Sequence, residues 1–207
     1  QERLTFPEAV RQLAEQVGIT IPERLSAASR NGKAEQLFAI LEKACRYYER
    51  LLAHPALGRS PREYLRTRGV IDRTRETFRL GYAPAGGNQL IQAARRSKIS
   101  LELLEQAGLI LRGERGLVDR FRQRLLFPIQ DIRGRVVGFG ARSLADQEPK
   151  YLNSPETSVY TKGRHLFGLF HAKEAIAKAQ AAIVVEGYFD CVLLWQAGVR
   201  HVVSLLG

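Results

Sequence analysis

Glu186 and Asp190 stand four residues apart in Glu186-Gly187-Tyr188-Phe189-Asp190, directly after the apolar run 181–185. That run reads as a buried strand. Residues 189–197 read as a helix closed by Gly198, and 201–206 as a second strand. In such a parallel β-α-β unit, ligands sit beyond the carboxyl ends of the strands. Both carboxylates therefore fall where chemistry would occur. Together they can hold a divalent cation through oxygen ligands, or one of them can serve as a general base. Gly187 is expected to let the backbone turn sharply between them. Asp190 has a second reading as a helix-dipole partner in the first turn. That reading leaves Glu186, at a strand end, without an account.

Arg120, Arg122 and Arg124 alternate ahead of Phe127-Pro128-Ile129. An extended chain places alternate residues on one face. The three would then form a row of guanidinium groups suited to phosphates, or an ordinary solvated strand face. The charge balance favours a polyanion. The 207 residues carry 32 Lys and Arg against 21 Asp and Glu, a formal +11. Residues 61–125 hold fourteen basic and seven acidic side chains, a local +7, whereas 171–207 are balanced. Clustered cations displace the counterions condensed on nucleic-acid phosphates. Arginine supplies 25 of the 32 cations; codon bias alone would spread them evenly.

Hydrophobic residues make up 45% of the chain, which excludes a disordered polymer. No apolar run reaches the eighteen residues of a membrane span, and no secretory leader pattern is visible. Cys45 and Cys191 lie far apart in apolar stretches and are expected as buried free thiols rather than a disulfide or zinc site. The chain opens on Gln1, lacks methionine and stops at Gly207 just after a strand, so both ends are expected to be internal to a longer protein.

The elements that must position these residues change character midway. Helices are expected over 5–17 and 33–52, joined by a polar connection, with Leu37, Ile40, Leu41, Ala44 and Tyr48 on one face of the second. Ser60-Pro61-Arg62-Glu63 has the form of a capping box. Short helices follow over 72–78, 88–97 and 100–107, the last capped by Ser100. The period then becomes that of strands. Residues 125–130 and 136–139 form a hairpin across Asp131-Ile132-Arg133-Gly134, and 171–180 are helical.

The run from Ile183 through Glu186 and Asp190 to Gly207 resembles the first half of a TOPRIM domain, the metal-binding module of DnaG-type primases, type IA and type II topoisomerases and some nucleases. Phe189 stands where that motif usually has methionine. Its later Asp-x-Asp would lie beyond Gly207. The upstream strings resemble the RNA polymerase domain of bacterial DnaG-type primases. They are Phe127-Pro128-Ile129, then Gly138-Phe139-Gly140-Ala141-Arg142, then Pro149-Lys150-Tyr151-Leu152-Asn153-Ser154-Pro155-Glu156-Thr157, then Lys162-Gly163. Ala141 replaces a glycine of that pattern. Residues 4–10 resemble the last helix of the family's zinc-binding domain, whose ligands would lie upstream.

The resemblance implies roles. Glu186 would be catalytic and, with Asp190, would hold Mg2+ or Mn2+; Zn2+ would belong only to the missing upstream domain. Arg68, in Tyr64-Leu65-Arg66-Thr67-Arg68-Gly69, would line the template and nucleotide cleft with Arg120, Arg122, Arg142, Lys150, Tyr151, Asn153 and Lys162. The expected architecture is α+β: a mixed, basic α/β lobe followed by the first β-α-β unit of a TOPRIM lobe. Its parts are a zinc-domain remnant (1–21), a linker (22–32), a primase lobe (33–170) and an incomplete TOPRIM domain (171–207). The implied activity is DNA-templated synthesis of short RNA primers, with these 207 residues inactive alone. The implied partners are single-stranded DNA, ribonucleoside triphosphates, a DnaB-type replicative helicase and single-strand-binding protein, for a cytoplasmic bacterial monomer. The alternatives are a non-catalytic single-strand-binding module or another TOPRIM enzyme. The GFGAR and PKYLNSPET strings argue against a topoisomerase.

Overall fold

The computed structural model describes residues 27–114, 116–145 and 148–206, with side chains from residue 32 onward. The expected helix over 5–17, the zinc-domain resemblance at 4–10 and the domain assigned to 1–21 lie outside the described residues. The chain divides into two compact units, 1–35 and 36–207. All that follows on the sheets and the site concerns the second.

Helix α1 (Ala27–Ala53) begins inside the segment 22–32 expected as a linker. Leu37, Ile40, Leu41, Ala44, Cys45, Tyr48 and Leu52 recur at helical spacing and are all buried. Beyond it, α2 (Arg59–Thr67) corrects the capping-box expectation. The helix starts before Ser60, its N-cap is Gly58, and no side chain caps it. Pro61 is its third residue. Arg62 instead turns back to the end of α1 and donates to the carbonyls of Leu52 (2.5 Å), His54 (2.9 Å) and Pro55 (3.2 Å). One guanidinium thus satisfies acceptors that a helix end leaves open.

Short helices α3 (Asp72–Thr77), α4 (Gln89–Arg96) and α5 (Leu101–Gln106) follow as expected, and Ser100 accepts from the Leu103 amide at 3.3 Å. The main sheet is antiparallel, in the order β1 (Gly81–Ala83), β4 (Arg124–Gln130), β5 (Val136–Ser143), β6 (Tyr151–Asn153). The expected hairpin is its centre, with Arg124 opposite Ser143 and Gly140 opposite Phe127. Between its terminal Arg124 and Gln130, strand β4 is apolar because both its faces are covered. Leu125, Phe127 and Ile129 pack with Leu65, Phe189 and Val192; Leu126 packs with Leu41, Tyr48 and Phe139. A small hairpin, β2 (Ile110–Gly113) with β3 (Gly116–Asp119), lies outside this sheet.

Helix α6 (Leu169–Ala179) leads into a parallel pair, β7 (Ile183–Val185) and β8 (Val202–Ser204), joined by α7 (Tyr188–Gln196). This is the expected β-α-β unit with one correction. β8 is buried throughout, but Ile183 and Val184 of β7 are 40% and 55% exposed. Among the described residues β7 pairs with β8 alone. The apolar run 181–185 suits a strand covered on both sides, but pairing and packing decide whether it is covered. Both cysteines are buried and free, as expected. Trp195 packs edge-on to Phe78, 5.2 Å between centroids, under the Arg200 guanidinium at 3.6 Å.

Candidate nucleic-acid interface and acidic turn

Glu186 leaves the end of β7 and Asp190 lies in the first turn of α7; both side chains are exposed. Neither makes a side-chain hydrogen bond or ion pair with a described residue. The role expected of Gly187 is corrected. Its φ of −111° and ψ of 143° are open to any residue. What it allows is close approach, since a Cβ there would stand 2.5 Å from Oδ2 of Asp190. The Asp190 carboxylate therefore folds back over the turn that begins at Glu186. Two unpartnered carboxylates at the carboxyl end of a parallel strand form a hard-oxygen donor set. Such a set suits Mg2+ or Mn2+, which take one or two protein carboxylates and keep several waters. Among the described residues, no group of three or more His, Cys, Asp and Glu could enclose a metal.

Basic side chains gather on β5 and just ahead of β6. Arg142 stands opposite Tyr151 in the ladder, with its guanidinium 5.0 Å from the centre of the Tyr151 ring. Tyr151 is 40% exposed and Lys150 beside it is exposed, while Arg142 is half-buried with its Nε enclosed, so a flat ring and one open cation share a surface that a second cation borders. Arg120 is spent inward. Its Nη2 and Nε donate to the Asn153 carbonyl at 2.8 and 3.3 Å, and burial shifts its pKa downward. The row expected of Arg120, Arg122 and Arg124 does not form. Gln123 has φ 51°, which breaks the extended alternation. Arg124 is 5% exposed with Nη1 toward the Lys150 carbonyl at 3.5 Å, while Arg122 is exposed.

Tyr188 joins the basic strands to the acidic turn, and the sequence does not single it out. Its ring is 4% exposed, stacks on Phe127 at 5.1 Å and 15°, and meets Phe167 edge-on at 5.0 Å. A Cβ at Gly140 would overlap that ring, so the glycine in Gly138-Phe139-Gly140 makes the space. The Tyr188 hydroxyl donates to Oδ1 of Asn153 at 2.5 Å, and burial pushes the phenol pKa well up, keeping it a donor. The available signal was its position midway between the two carboxylates.

Arg68 caps the end of α2, with its guanidinium 4.8 Å from the Phe189 ring centre and 6.0 Å from that of Tyr64. It thus stands beside the first turn of α7. Lys162 is exposed on a separate 3-10 turn (Lys162–Arg164), where its amide donates to Glu156 at 3.3 Å. The structure therefore brings Arg120, Arg142, Lys150, Tyr151 and Asn153 together beside the turn carrying Glu186 and Asp190. No described contact ties Arg122 or Lys162 to that group.

Comparison with known proteins agrees with this fold. A DNA primase of Synechococcus elongatus is 46% identical over 179 residues, covering 84% of this chain and 26% of the relative. The RNA polymerase domain of Mycobacterium tuberculosis primase DnaG, crystallised with a double-stranded DNA oligomer bearing a 6-nucleotide overhang, is 40% identical. It superposes with a TM-score of 0.79 over 84% of this chain and 55% of that one. A DnaG primase catalytic domain bound to single-stranded DNA is 38% identical, with a TM-score of 0.78 over 86% of this chain and 55% of that one. The chain thus spans about a quarter of the first relative and just over half of the solved domains. The family model for the N-terminal domain of the DNA primase catalytic core matches residues 47–173, most of the chain, and to that family the chain belongs.

Proposed function

We propose that this chain works within a DNA primase, as the part that presents template and nucleotide to a metal-dependent nucleotidyl-transfer site. The observation that supports this reading most is the acidic turn, with both carboxylates unpartnered, seated against strands carrying Arg142, Lys150 and Tyr151. In the reaction a ribonucleotide 3′ hydroxyl oxygen bonds to the α-phosphorus of a triphosphate. The bond to the pyrophosphate oxygen breaks, and the hydroxyl proton leaves. Glu186 and Asp190 would hold the divalent cation, which supplies charge stabilisation for the leaving pyrophosphate. Arg142 and Lys150 neutralise phosphate charge, and Tyr151 offers a stacking face to a base. Arg68, Arg122 and Lys162 extend the positive surface that a single strand would follow. The β-α-β unit is read as the opening of a TOPRIM module. Single-stranded DNA is the template partner; contacts with a replicative helicase and single-strand-binding protein rest on the family resemblance alone.

The test is labelled ribonucleotide incorporation on single-stranded DNA with magnesium, using the full-length gene product beside Glu186→Gln. Template-dependent short RNA should fall at least a hundredfold in the variant while DNA affinity stays within about twofold, because only interactions with developing charge are lost. Absence of product from a folded, DNA-binding protein would favour a non-catalytic binding module. Product that survives Glu186→Gln would remove this residue from the chemistry.

A further inference from the structure

Asn153 lies on the strand that carries Tyr151, yet its polar groups face inward partners. Its Oδ1 accepts from the Tyr188 hydroxyl at 2.5 Å, and its Nδ2 donates toward the Leu206 carbonyl at 3.5 Å. Its backbone carbonyl accepts both Arg120 bonds. Tyr188 follows β7 and Leu206 follows β8, so one amide side chain touches the segments that leave the carboxyl ends of both parallel strands. Tyr188 is also the midpoint between Glu186 and Asp190, and its ring is wedged between Phe127 and Phe167 in the space that Gly140 leaves. The aromatic packing fixes the ring's plane. The hydroxyl–amide bond fixes how far along β6 the acidic turn sits.

We propose that Asn153 and Tyr188 are a positioning pair that sets the acidic turn in register with the basic strand, and that Asn153 acts through Tyr188 rather than by binding template or nucleotide. This rests on the nucleotidyl-transfer reading above. The turn whose carboxylates would hold the cation must keep a fixed register with Arg142 and Lys150, which would hold a phosphoryl group, because a misplacement of about 1 Å costs on the order of a hundredfold in rate. Removing the hydroxyl–amide bond should leave both binding surfaces intact and loosen their alignment. The loss should therefore appear in kcat, with little change in substrate affinity.

The variants are Tyr188→Phe, which keeps the stacked ring, Asn153→Ala, and the double substitution, all in the full-length protein. Each single variant is expected to lower kcat for primer synthesis at least tenfold, with nucleotide KM and single-strand Kd within about twofold. The double variant should fall no further than the worse single. A tenfold rise in KM or Kd for Asn153→Ala with kcat unchanged would overturn the proposal and make Asn153 a direct ligand. Multiplicative losses in the double variant would also overturn it. Hydrogen exchange gives a reading independent of activity. The amides of Cys191 and Leu205, which donate to Gly187 and Val185, should exchange at least fivefold faster in either variant, while those of β4 are unchanged. Unchanged exchange at both positions overturns the pair whether or not the protein makes primers. A wild type that makes no primer, but shows the exchange difference, sinks the functional reading and leaves the docking contact standing.

Discussion

Arginine is the commonest cation in this chain, and its uses diverge residue by residue. Of the fourteen basic side chains in 61–125, Arg62 and Arg120 bind backbone carbonyls and Arg124 reaches toward another. Arg75, Arg79 and Arg112 bind carboxylates. The +7 of this segment therefore overstates the charge free to meet a phosphate. A sequence shows how many guanidinium groups there are. Only the fold shows which of them have neighbouring acceptors, because those partners are up to 37 residues away, as for Arg79 and Glu42. Arg62 gives a direct test. Replacing it with Met keeps most of the apolar stem and removes the donors to three carbonyls. The expected loss is about 1–3 kcal/mol of stability, read as a lower urea midpoint with unchanged m-value. A midpoint within error of wild type would mean that water satisfies the end of α1 equally well.

At the scale of elements, the long or strongly patterned pieces were legible: α1 from its stripe, the β4–β5 hairpin from its turn, α7 from its closing glycine. The strands β1 and β6 were not, since each is three residues long and, unlike β7 and β8, lies in no longer apolar run. Nor was the cap of α4. Its N-cap Asn88 accepts from the Gln92 side chain at 3.0 Å rather than from a helix amide, and the buried Asp119 carboxylate accepts from the Leu90 and Ile91 amides at 2.7 and 3.1 Å instead. That partner comes from another element. Helix α6 offers a test in pH. His171 packs against Phe78 at 4.7 Å and Phe170 at 5.2 Å, and its Nε2 is buried with no partner among the described residues. Burial disfavours the imidazolium and lowers its pKa from 6.5 to about 4. The unfolded chain thus takes up a proton near 6.5 that the folded chain refuses until about 4. Its contribution to stability is full above 6.5 and is lost as pH falls towards 4. His171→Phe should flatten that decline when urea midpoints are compared at several pH values through this window. An equal decline in both proteins would assign it to other groups.

For the molecule as a whole, Arg142 and Lys150 put part of the free positive charge beside the acidic turn, while Arg75, Arg79 and Arg112 are held by carboxylates. Binding to single-stranded DNA should then weaken steeply with salt. The slope of log K against log salt should drop by about 0.7 for each phosphate contact removed. Arg122→Ala and Arg142→Ala are expected to show that drop, and Arg112→Ala, whose guanidinium is held by Glu105 at 2.8 Å, to leave the slope alone. Equal slopes for all three, measured by anisotropy across a salt series, would mean that the cleft is placed on the wrong strands. The broad plan of the site was readable because family strings fall on consecutive elements. The link through Tyr188 was not, because it depends on β6 and α7 meeting across 35 residues of sequence.

Trp195 is the chain's one tryptophan, and it sits near the end of the helix whose first turn carries Asp190. Its indole lies under the Arg200 guanidinium and against Phe78, with His171 at 6.3 Å. Within these 207 residues its fluorescence is therefore a built-in optical reporter with no second indole beside it. A change in emission intensity or colour on adding cation, nucleotide or template reports a change around α7 itself, without a label and without disturbing either carboxylate.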